Sequence, residues 1–169
     1  MSLSMYQASS PVFVRMLKNL SVILTKAEVD AEARKIDPLV FANARLAPDM
    51  RPLTSQVQMA TDSAKGCAAR LAGVEVPSFP DVETTFAELR DRIARTVAFI
   101  ESVPADKIDG SEGREVVMKF PNREMKFTGQ DYLLTFALPN FMFHVTTAYA
   151  ILRHNGVSIG KMDFLAGAQ

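Results

Sequence analysis

Asn140, His144 and Thr147 are the residues best placed to do chemistry, because they interrupt a stretch, Tyr132 to Leu152, that contains no Asp, Glu, Lys or Arg. If that stretch is helical, 100° per residue sets the three within about 60° of one another, as one polar line on an apolar rod. An imidazole on such a line can bind a metal through one nitrogen while a second group orients the other. It can equally be a core histidine hydrogen-bonded inside the fold. His154 cannot share a metal with His144, since the intervening helix separates them by about 15 Å. It falls in a last helical turn, where a cation suits the helix dipole.

A second set of polar residues, Gln56, Ser63 and Cys67, lies along the edge of an apolar stripe formed by Leu53, Val57, Ala60, Ala64 and Leu71. Cys67 is on the inward side and away from any helix N-terminus, so a buried, inert thiol is expected. Asp62 points away from the stripe and reads as solvated. No Ser-His-Asp pattern with supporting context, no phosphate-binding glycine loop and no H-E-x-x-H motif is present.

The elements that must position these residues can be read from spacing. Ser10-Pro11 reads as N-cap and N1 of a first helix, with an apolar face of Phe13, Met16, Leu17, Leu20, Ile23, Leu24 and Ala27. Asp37-Pro38 opens a short piece, and Pro48 and Pro52 forbid a helix through the connector that follows. A second long helix runs from about Leu53 to Leu71 and closes at Gly73. Thr85 to Glu88 forms a capping box for a third, which Pro104 stops. REVVMKF-PN-REMKF reads as two strands about a Pro-Asn turn, a hairpin too small to stand without packing on helices. Thr128 and Asp131 start the last helix and Gly156-Val157 stops it, with Pro139 expected to kink or interrupt it beside Asn140. The expected fold is all-α: a four-helix bundle with a small β-hairpin between helices three and four, as one domain over residues 1–169.

Composition narrows the function classes. Nineteen basic and nineteen acidic residues cancel without a basic cluster, which argues against nucleic acid. The single cysteine excludes an internal disulfide and suits a reducing, cytoplasmic setting. MSLSMYQ has neither a charged n-region nor an apolar h-region, so no signal peptide is expected. The uncharged run is long enough to span a membrane, but Pro139, Asn140 and His144 inside it and the amphipathic helices elsewhere oppose that reading.

Three segments, YQASSPVFVRMLKNLSVIL, NARLAPDMRPLTSQVQMATDSAKG and FTGQDYLLTFALPNFMFHVTTAYAILRHNGVSIGKMDFL, resemble the bacterial family called domain of unknown function 1993. LPNF-x-FHVTTAYAILRHNGV is the most specific part, and the likeness covers essentially the whole chain. That family sits within the DinB/YfiT-like superfamily of metalloenzymes. The resemblance implies a four-helix bundle in the mirror variant of up-down-up-down topology, often a homodimer. It also implies a metal-dependent hydrolase or a thiol-dependent transferase acting on a small molecule in the bundle core.

Typical superfamily members hold a divalent metal, Zn or Ni, with three histidines. One comes from the second helix and two from an H-x-x-x-H on the last. Matching the LR-x-x-G ending places that pair on Asn140 and His144, with the second-helix ligand at or near Gln56. With only two histidines in the chain, a three-histidine site cannot form. Asn and Gln are neutral oxygen donors that replace imidazole poorly. A weakened site, a different ligand set drawing on Asp49, and a lost site remain open, so metal is expected to be weakly bound or absent. The alternative function is a non-catalytic small-molecule-binding protein, or a structural dimer, without metal.

Overall fold

The computed structural model describes residues 2–166. In chain order these form α1 (Met5–Ala8), α2 (Ser10–Ala33), α3 (Pro38–Ala42), α4 (Leu53–Ala72), α5 (Phe86–Ser102), α6 (Ala105–Ile108), β1 (Glu115–Phe120), β2 (Arg123–Thr128), α7 (Gly129–Asp131), a π-helical segment (Tyr132–Ala137), α8 (Leu138–His154) and α9 (Lys161–Leu165). The protein is mostly helical, with four long helices and one hairpin between the third and fourth of them. α4 packs chiefly on α8 and α5, and α2 packs on α5 and α8. Phe13 of α2 and Phe141 of α8 meet edge to face in the core, ring centroids 4.9 Å apart.

The helix ends follow local chemistry. Thr85 accepts from the Glu88 N–H while the Glu88 carboxylate accepts from the Thr85 N–H, the reciprocal capping box expected for α5. Asp37 caps α3 through the Leu39 N–H at 2.9 Å. α8 ends in a Schellman motif: Val157 N–H bonds the Leu152 carbonyl and Gly156 N–H the Arg153 carbonyl, with Gly156 at φ 86°. The start of α2 differs from the sequence reading. Its N-cap position is Ser9, not Ser10, and no side chain caps it. The single turn α1 runs directly into α2, and the Ser9 hydroxyl donates back to the Met5 carbonyl at 2.6 Å.

β1 and β2 pair antiparallel from Glu115↔Thr128 to Phe120↔Arg123, leaving Pro121 and Asn122 as the turn. Phe127 anchors the hairpin on the last helix, its ring 6.0 Å from Tyr132 and 5.7 Å from Phe136. Gly129 follows, where a Cβ would collide with the Ser111 carbonyl oxygen, so only glycine lets the two backbones touch.

The last helix is not α-helical from its start. Tyr132–Ala137 forms π turns, and the Leu138 N–H reaches back five residues to the Leu133 carbonyl. Pro139 is the second residue of α8, directly after that segment, and brings no N–H to the ladder there. The expected interruption is thus a π segment that ends just before the proline. Among the described residues no helix is long and apolar enough to cross a membrane.

Candidate functional site

α4 and the last helix face each other across a cleft of about 340 Å³, with strand β1 forming a third wall. From α4 come Met59, Asp62, Ser63 and Arg70; from β1, Met118 and Phe120; from the last helix, Tyr132, Phe136, Asn140 and His144. The last four recur every fourth residue. In a continuous α-helix each such step turns the side chain by about 40°, so the series would wind away from the cleft. A π turn takes more than four residues, so it rotates the Tyr132-to-Phe136 step the other way. The π segment therefore keeps all four residues on one side.

His144 is buried, and its Nδ1 lies 2.9 Å from Gln56 Oε1. The amide of Gln56 is oriented by its other end, where Nε2 donates to the Arg51 carbonyl at 3.1 Å. A carbonyl can only accept, so the atom facing His144 is the amide oxygen, which also only accepts. The proton is therefore on Nδ1, and Nε2 carries the lone pair. Burial lowers the pKa of His144 below 6.5, so the ring is neutral at pH 7.

Asn140, one turn earlier, is half-buried and donates through Nδ2 to Ser63 Oγ at 3.3 Å; that hydroxyl donates on to the Ala137 carbonyl. Thr147 does not continue the line. Its hydroxyl donates to the Phe143 carbonyl of its own helix at 2.7 Å. Cys67 is fully buried, and burial raises its pKa far out of reach of a thiolate. His154 is exposed at the end of α8.

In this structure the candidate metal ligands Gln56, Asn140 and His144 are engaged with protein groups. Gln56 and His144 meet, but as donor and acceptor to each other, with the Gln56 oxygen occupied by the imidazole proton. Asn140 bonds Ser63 rather than joining them. Asp49 is exposed in the turn before α4 and does not line the cleft. Among the described residues no three His, Cys, Asp or Glu side chains are grouped as a metal would require.

The family model of the domain of unknown function (DUF1993) matches residues 5–165. The chain belongs to this family. The DUF1993 chain is also similar to a DinB family member protein from Shewanella denitrificans, known from a crystal structure at 1.83 Å resolution. The two are 42% identical with a TM-score of 0.88, over 97% of this chain and 92% of that one. No curated protein matches the chain.

Two features of this DUF1993 cleft escape the sequence reading. Asp62 is not simply solvated: it lines the cleft and pairs with Arg92 Nη2 at 2.8 Å and with Lys65. Arg92 is fully buried and also bonds Thr61, the Pro80 carbonyl and Glu83, tying the 73–85 loop to α4 and α5. Arg70 and Tyr132 form the far end of the cleft, Arg70 Nη1 donating to the phenol oxygen at 3.1 Å. Burial first, with nearby Cys67, pushes the Tyr132 pKa up to about 12 although Arg70 pulls it down, so the phenol is neutral. The spacing Met59, Asp62, Ser63, Gly66, Arg70 is a helical stripe, a pattern that could have marked this face.

Proposed function

We propose that this DUF1993 protein binds a small molecule in the α4–α8 cleft without a resident metal. His144 Nε2 serves there as a fixed, neutral hydrogen-bond acceptor. Among the readings that kinship suggests (metal-dependent hydrolase, thiol-dependent transferase, metal-free binding protein), the cleft supports the last best. The observation that carries it is the Gln56–His144 bond: Gln56 sits at the expected position of a metal ligand but orients the imidazole instead. The cleft is half lined by aromatic and methionine side chains with a few convergent polar groups, the usual make-up of a small-ligand site.

The rest of the proposal concerns assembly and setting. The four long helices close into a bundle, supported by the α2–α5, α5–α4, α4–α8 and α8–α2 contacts; its mirror-variant up-down-up-down order rests on the DinB kinship alone. Near-zero net charge and the superfamily habit support a homodimer, which light scattering on the purified chain tests, and the single cysteine suits a cytoplasmic setting.

Elemental analysis of protein purified without a histidine tag, followed by melting curves with added Zn or Ni, tests the metal-free reading. The expected result is no stoichiometric transition metal and no rise in Tm specific to His144. Stoichiometric metal, or a metal-dependent rise in Tm that His144→Ala abolishes, overturns it.

A further inference from the structure

Gly66 lies in the interior of α4, where glycine weakens a helix. What it makes room for is one turn further on: a Cβ at position 66 would collide with Arg70 Nη1. The guanidinium therefore folds back against the helix itself and is held there by the Tyr132 hydroxyl, with Cζ 5.9 Å from the Tyr132 ring centroid. Tyr132 is neutral, and among the described residues no carboxylate lies within ion-pairing distance of Arg70. Among the described residues the one carboxylate lining the cleft, Asp62, is already engaged by Arg92 and Lys65. Arg70 is thus a half-buried cation at the end of an aromatic cleft, seated against bare backbone, with most of its five N–H donors unengaged by the described residues.

A cation in this position is stabilised by an anion that enters with the ligand, and the planar fork of a guanidinium matches an oxyanion. We propose that the ligand carries an oxyanion, a carboxylate or a phosphate monoester, seated on Arg70 beside Tyr132. This rests on the reading of the cleft as a metal-free binding site. The apolar body of the ligand lies against Met118, Phe120 and Phe136. Ser63 is about 10 Å back along α4 from Arg70, so a second polar group of the ligand would reach the Ser63–Asn140–His144 end only in a molecule of that length.

The test is amide NMR titration at constant ionic strength with three probes of one shape: benzoate, phenyl phosphate and neutral benzamide. At least one anionic probe is expected to bind ten-fold or more tighter than benzamide, with shifts at Arg70, Tyr132 and Phe136. The better of the two separates a carboxylate from a phosphate ligand. Arg70→Gln is expected to erase the preference. Gly66→Ala should erase it too, because its methyl displaces the flexible end of Arg70, while Tm stays level or rises; this separates loss of the seat from loss of the fold. Benzamide binding in the cleft as tightly as both anions, or a preference that survives Arg70→Gln, overturns the oxyanion and leaves the cleft standing. If none of the probes shifts a cleft residue, both readings fall.

Discussion

Gln56 and His144 are joined across the α4–α8 interface by a 2.9 Å hydrogen bond, and the direction of that bond decides what the imidazole can do. Because the Arg51 carbonyl fixes the amide, Gln56 offers only its oxygen, and His144 presents a lone pair at Nε2. Replacing Gln56 with Glu puts a carboxylate on the Nδ1 proton and favours the imidazolium. The His144 pKa should then rise by a unit or more from its buried value, measurable by NMR titration. An unchanged pKa in Gln56→Glu would mean that the two side chains do not meet.

Burial holds the folded-state pKa of His144 below 6.5, so the unfolded chain takes up this proton more readily than the folded one. Its contribution to stability is complete above pH 6.5 and is lost as pH falls below that value, levelling off once the folded ring also protonates. Urea unfolding at pH 7.5 and 5.5 should show a loss in the wild type that is smaller in His144→Ala. At pH 7.5 that substitution should itself cost about 1–3 kcal/mol, because the buried Gln56 oxygen loses its donor. Equal pH slopes in the two proteins would contradict this.

Arg92 and Glu83 are both almost completely buried and bonded to each other. Burial raises the Glu83 pKa, but hydrogen bonds from Gln58 and Arg92 outweigh it and hold the carboxyl below the usual value. Arg92→Met leaves that carboxylate with only Gln58 and the half-exposed Arg95 and frees the 73–85 loop, so a loss of about 3 kcal/mol is expected, with faster proteolysis within the loop. A variant as stable as wild type would show the cluster to be dispensable.

Gly129→Ala forces a methyl onto the Ser111 carbonyl, which is backbone and cannot swing aside. The expected cost is about 1–3 kcal/mol or more, read by denaturant melts. A neutral result would place the two segments farther apart than they are here.

Much of the fold was legible because its signals are local. The Thr85 box, the Gly156 stop and the Pro-Asn turn each act through residues a few positions apart, and each formed where the spacing placed it. The start of α2 was misplaced by one residue because α1 has its own cap at Ser4, which shifts the junction. The site was legible only in part. His144 and Gln56 could be paired by helical phase and kinship. The role of Asp62 depends on Arg92, thirty residues away, and that of Arg70 on Tyr132 and on the space left by Gly66. Phe120 and Met118 reach the cleft because Phe127 packs the hairpin onto the π segment, and no local pattern in the strands announces that. Thr147 shared the helical phase of the site but satisfies itself on its own helix.

The central claim is that His144 is a neutral imidazole with its proton on Nδ1 and its lone pair facing the cleft. Long-range proton–nitrogen NMR of the His144 ring in metal-free protein, followed from pH 8 to pH 4, measures this directly. The expected spectrum is that of the Nδ1–H tautomer, protonating only below pH 6.5. A ring in the Nε2–H tautomer, or one titrating freely at 6.5, would contradict the claim.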